Sequence, residues 1–99
     1  MWIKTSEKTL ININDCNSLR IVRFNHLQQD GSPLWSVEAD TNFVNPVNGY
    51  FMNITIGNYA SKEDAEAVLS KIIQGIQDNV RFIELKEKQV SIKTAFSNI

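Results

Sequence analysis

The chain has 99 residues, 42% of them apolar and 21% charged, with a net charge of −1. That balance suits one globular domain around a single core and excludes both a disordered chain and a membrane-spanning helix, since no run approaches the roughly 18 apolar residues a span needs. Four basic and five acidic residues precede residue 60 and six of each follow it, so neither half carries the field that selects nucleic acid or an anionic membrane.

Trp2, Ile3 and Thr5 predict a short first strand with Glu7-Lys8 as its turn. Leu10, Ile11 and Ile13 predict a second, pairing with the first as a hairpin. The cluster Asn12, Asn14, Asp15 and Asn17 ends it, because such side chains bond their own backbone and favour turns. A third strand is expected over 19–27, rich in β-formers at Ile21, Val22 and Phe24 but interrupted by Arg20 and Arg23. Gln28-Gln29-Asp30-Gly31-Ser32-Pro33 is the clearest turn, since Asp-Gly supplies positive φ and Pro33 cannot sit in a central ladder. Over 34–39 the chain returns with Trp35, Val37 and Ala39 on one face and Ser36, Glu38 and Asp40 on the other, which predicts a half-buried strand with Trp35 in the core. Residues 41–48, with three asparagines and Pro46, predict a loop whose middle, Phe43-Val44, touches something apolar. The alternation of Tyr50, Met52, Ile54 and Ile56 predicts the longest strand over 49–56, and Gly57-Asn58 then turns the chain into a helix.

The helix is the strongest signal. Ser61 followed by Asp64 has the form of a capping box with a short acid. Ala65, Val68, Leu69, Ile72, Ile73 and Ile76 fall on one stripe at helical spacing, while Lys62, Glu66, Ser70 and Gln74 face water. Asp78-Asn79 should close it, asparagine being tolerant of the left-handed conformation. Beyond lie a strand-like 80–85, a polar Lys86-Glu87-Lys88-Gln89, and an alternating Val90, Ile92, Thr94 and Phe96, which together predict a C-terminal hairpin. A two-stranded hairpin is marginal alone, so this extension, 80–99, is expected to dock on the domain formed by 1–79 or on a second copy.

Residues able to do chemistry are few. Cys16 is the only cysteine and His26 the only histidine, so no intrachain disulfide forms and the thiol agrees with a reducing compartment. A catalytic thiol would require His26 beside Cys16, and a zinc site would require two carboxylates besides. Asp15, Asp30, Glu38 and Asp40 would supply paired carboxylates, yet three lie in turn-like stretches where solvated charge is the ordinary explanation. No glycine-rich phosphate loop is present. Arg20 and Arg23 with Phe24 and His26 would make a small basic-aromatic surface for single-stranded nucleic acid, but residues 20 and 23 point to opposite faces of a strand. Trp2 with Phe43 or Tyr50 would mark an apolar partner site, against the commoner role of aromatics as core.

Met1-Trp2-Ile3-Lys4-Thr5, the Leu10-Ile11-Asn12 hairpin start, Leu19-Arg20-Ile21, and Gly57-Asn58-Tyr59-Ala60-Ser61 leading into Glu63-Asp64-Ala65 and Val68-Leu69 resemble a group of short, uncharacterised bacterial and phage-encoded proteins. The resemblance covers about 1–78 and implies strands followed by one helix; it implies no activity. The loop at 41–48 and the tail beyond Asn79 depart from that pattern.

These readings combine into an α+β fold: an antiparallel sheet of about five strands with one helix across it, either PH-like or a helix-on-sheet meander, plus a C-terminal strand pair. The expected protein is cytoplasmic, as the start Met1-Trp2-Ile3-Lys4 lacks a signal peptide's apolar core, and is not an enzyme, with no catalytic, cofactor-binding or metal residues assigned. The expected role is a protein-interaction module, with self-association through the C-terminal strands, no membrane partner, and a small nucleic-acid-contacting regulator as the alternative.

Overall fold

The computed structural model describes residues 1–5, 8–87 and 89–90. Among them the chain forms β1 (Trp2–Lys4), β2 (Leu10–Asn12), a 3-10 turn (Ile13–Asp15), β3 (Cys16–Phe24), β4 (Leu34–Val44), β5 (Phe51–Tyr59), α1 (Lys62–Gln77) and β6 (Phe82–Glu84). The fold is α+β, as expected, but its strands divide between two three-stranded sheets.

In the first sheet β1 lies between β2 and β6. It pairs with β2 as the expected antiparallel hairpin, Ile3 opposite Ile11, and with β6 in parallel, Ile3 opposite Ile83. Thr5 N–H donates to the Thr9 carbonyl (2.9 Å) across the hairpin's end, where Lys8 takes φ 65°; Glu7 of the expected turn lies outside the described residues. The Asn12 side chain caps the following 3-10 turn by accepting from Asn14 N–H, and so diverts the chain out of this sheet.

The second sheet is the antiparallel meander β3-β4-β5. Its first turn is the expected one: Gly31 takes φ 86° and Ser32 N–H donates to Asp30 Oδ1 (2.9 Å). Central β4 is buried on both faces. Val37 and Ala39 are covered as expected, but so are Ser36 and Glu38, which were expected on a solvated face, while Trp35 is only half-buried. Two further expectations need correcting. β4 runs to Val44, so half of the supposed loop at 41–48 is strand, and β5 continues through Gly57 and Asn58, which therefore do not form the turn into the helix. Gly57 is needed there for space: a Cβ would lie 2.7 Å from Cζ of the buried Tyr59 ring.

The α1 helix starts as predicted, Ser61 Oγ accepting from Asp64 N–H (3.1 Å), and ends as predicted with Asn79 at φ 59°. Its buried face is Ala65, Val68, Ile72 and Gly75, with Leu69 half-buried. Ile73 and Ile76 are 44% and 48% exposed, so the apolar stripe is narrower than expected and turned toward Gly75. Glycine at that position lets the first sheet approach closely, with Met1 Sδ 3.3 Å and Ile83 Cγ2 3.6 Å from where a Cβ would stand. The helix thereby packs on both sheets, and the core of Ile3, Ile11, Ile13, Val37, Ala39, Ile56, Tyr59, Val68, Ile72 and Leu85 is shared between them.

After the helix, the first strand of the expected C-terminal hairpin exists as β6, but its partner is β1. The second, alternating through Phe96, extends past Val90 and lies outside the described residues. Val90 N–H donates to the Asn58 carbonyl (3.0 Å), which places that point of the chain beside β5.

Candidate functional site

The residues weighed for catalysis are kept apart. Cys16 opens β3 and His26 follows its far end, so a nine-residue strand, roughly 30 Å long, separates thiol from imidazole. The His26 ring is held locally, Nδ1 2.8 Å from the Gly31 carbonyl. Burial, and secondarily the charges of Asp15 and Asp40, push the Cys16 thiol up from its ordinary pKa, which suppresses the nucleophilic thiolate. Glu38 and Asp40 do share a face of β4, but Arg20 sits over both, Nη2 3.9 Å from Glu38 Oε1 and Nε 3.1 Å from Asp40 Oδ2. The Ser18 hydroxyl also donates to Asp40 (2.9 Å), and these bonds hold its carboxyl below the usual range. No group of three metal-binding side chains occurs among the described residues.

The basic-aromatic surface is not assembled either. Arg20 faces Glu38 across the ladder, whereas Arg23 faces Trp35 on the opposite side of the sheet, its guanidinium 5.7 Å from the indole centroid. One cation is neutralised by two carboxylates and the other is spent on an aromatic ring.

A groove of about 480 Å³ lies between the 3-10 turn, the start of β3 and the end of α1. Met1, Ile13, Cys16, Leu19, Ile76 and Val80 give it apolar walls, while Asn14, Asn17, Ser18 and Asn79 line its polar side. The Met1 ammonium donates to Asn14 Oδ1 (3.3 Å), so two of its polar groups already satisfy one another. It brings no acid and base together.

Among the described residues the exposed apolar side chains concentrate at the end of the β4-β5 hairpin. Phe43, Val44, Val47, Tyr50, Phe51 and Met52 are all exposed, Val47 to 92% and Tyr50 to 74%. Val44 stands opposite Phe51 across the ladder, so adjacent Phe43 and Met52 leave by other directions and the end is apolar on more than one side. Between Val44 and Phe51 the loop bonds four of its backbone N–H groups within itself. Asn45 N–H donates to the Tyr50 carbonyl (2.8 Å) and Gly49 N–H, at φ 75°, to the Asn45 carbonyl (2.9 Å). Val47 N–H donates to Asn45 Oδ1 and Tyr50 N–H to Asn48 Oδ1, both 2.9 Å. The asparagines that suggested a mere loop are the acceptors that make this turn self-contained.

No family model matches the chain, and neither the curated proteins nor the solved structures yield a match to it. Tyr50 and Phe43 were candidates from sequence, with Trp2; Trp2 is exposed too, but it lies in the first sheet, beside Phe82. What the pattern of strands and loops did not isolate is the charge gap: residues 41–61, 21 in succession between Asp40 and Lys62, contain no Asp, Glu, Lys, Arg or His. That signal was legible without coordinates.

Proposed function

We propose that the chain is a small cytoplasmic, non-enzymatic interaction module, and that the charge-free end of the β4-β5 hairpin is the surface by which it binds a protein chain. One observation carries the reading: six exposed large apolar side chains surround a turn in which the N–H groups of Asn45, Val47, Gly49 and Tyr50 are already bonded within it. Covering such a surface removes apolar area from water while leaving few polar groups unpaired, the combination that makes burial favourable. Contiguous exposed apolar surface of this extent is uncommon on isolated soluble proteins and marks sites of association. The alternative, a nucleic-acid contact, loses support from the engagement of Arg20 by Glu38 and Asp40.

The test is site-specific photo-crosslinking in the cell of origin, with a photoreactive phenylalanine analogue replacing Tyr50 and, in a parallel strain, Lys62. The reading expects a discrete protein adduct from position 50 and none of that size from position 62. Absence of any protein adduct at 50, or the same adducts from both positions, would refute it.

A further inference from the structure

The hairpin end also indicates what it binds. We infer that the partner is a second copy of this chain, hairpin against hairpin about a two-fold axis, an inference that rests on the interaction reading above.

A two-fold contact places side chains near the axis against their own copies, so any charge there would meet its like. The stretch 41–61 is free of charge throughout, and the acid that precedes it in the chain, Asp40, is already held by Arg20 and Ser18. Such a surface offers nothing to a partner chosen by opposite charge and meets no repulsion from itself. Its extent also fits. At full residue areas of about 150–250 Å², the exposed fractions of the six apolar residues amount to about 700 Å² over both sides of the hairpin end, so two hairpins that clasp one another and cover both sides approach the ~800 Å² each partner contributes to a stable interface. A lipid surface fits less well. Anionic leaflets are held by flanking Lys or Arg, whereas at one root of this hairpin the single cation, Arg20, is engaged by Glu38 and Asp40, and along the chain the next cation after Asp40 is Lys62.

The test is sedimentation velocity on the full chain from micromolar to several hundred micromolar, comparing wild type with Phe43→Ser/Phe51→Ser and with Trp2→Ser. Wild type and Trp2→Ser should approach twice the 11.3 kDa monomer mass, and the hairpin variant should stay monomeric to at least about tenfold higher concentration with an unchanged far-ultraviolet spectrum. If the double variant is unfolded, Val47→Asp at the exposed tip replaces it, with the same expectation. A wild-type monomer at every concentration, or a dimer indifferent to the hairpin substitutions, overturns the inference. So does binding to phosphatidylcholine vesicles in place of self-association. A monomer whose position 50 crosslinks to a different protein sinks the inference and leaves the interaction reading standing; a monomer with no protein adduct sinks both.

Discussion

Tyr59 shows how one residue of an uncharged strand comes to control stability. Its ring is buried beside Gly57, a position where any larger residue would collide with it. Burial, with the negative charge of Glu87 as a smaller contribution, pushes its hydroxyl up to about 12 from an ordinary 10. Between those values the unfolded chain loses the proton and the folded chain keeps it, so stability is complete below pH 10 and falls as pH rises toward 12. We expect the unfolding free energy of the wild type, measured by denaturant titration, to decline over that interval by an amount on the order of 1–3 kcal/mol, and that of Tyr59→Phe to decline less. Equal slopes for the two proteins would show that the hydroxyl is hydrated in the folded state. Arg20 teaches the complementary lesson: a cation that looks available for a phosphate in sequence is consumed by two carboxylates brought opposite it by strand register.

At the scale of the element, helix α1 was readable at both ends and only partly along its face. Ser61 and Asn79 act through backbone geometry confined to a few residues, so their roles follow from residue type and spacing. Which side is buried depends on what the helix meets. Spacing marked six apolar residues, but Gly75 admits the first sheet and leaves Ile73 and Ile76 on the outer side. Ile72→Ala should therefore cost about 2–5 kcal/mol, through lost burial and a cavity, while Ile73→Ala should cost under about 1 kcal/mol. Chemical denaturation of both variants checks this, and equal losses would restore the wider stripe. The β4-β5 hairpin departs from the expected loop for a related reason. Its Asn-rich sequence has the composition of an open loop, and only cross-strand pairing of Val44 with Phe51 shows that the strands persist to the turn.

For the whole molecule the decisive contact joins the two ends of the described chain. β1 takes β6 as a parallel neighbour, Trp2 opposite Phe82, and Leu85 N–H donates to the Lys4 carbonyl (2.8 Å) before its side chain enters the common core. Lys71 of the helix reinforces the junction by donating to the Glu84 carbonyl (3.1 Å) and pairing with Glu87 (3.3 Å). Leu85→Ala should thus lower global stability by about 2–5 kcal/mol and do so in one cooperative transition, with tryptophan fluorescence and far-ultraviolet dichroism changing together. Separate transitions for the two probes would mean that the sheets unfold independently.

Local physics was written in the chain order: the β1-β2 hairpin, the Asp30-Gly31 turn, the capped helix and the charge gap at 41–61 each depend on residues close in sequence, and they can be derived without coordinates. The division into two sheets, the pairing of β6 with β1, burial on both faces of β4 and the projection of the apolar hairpin end depend on contacts between distant segments. Periodicity says that a side of an element is apolar; only the assembled neighbours decide whether that side is covered.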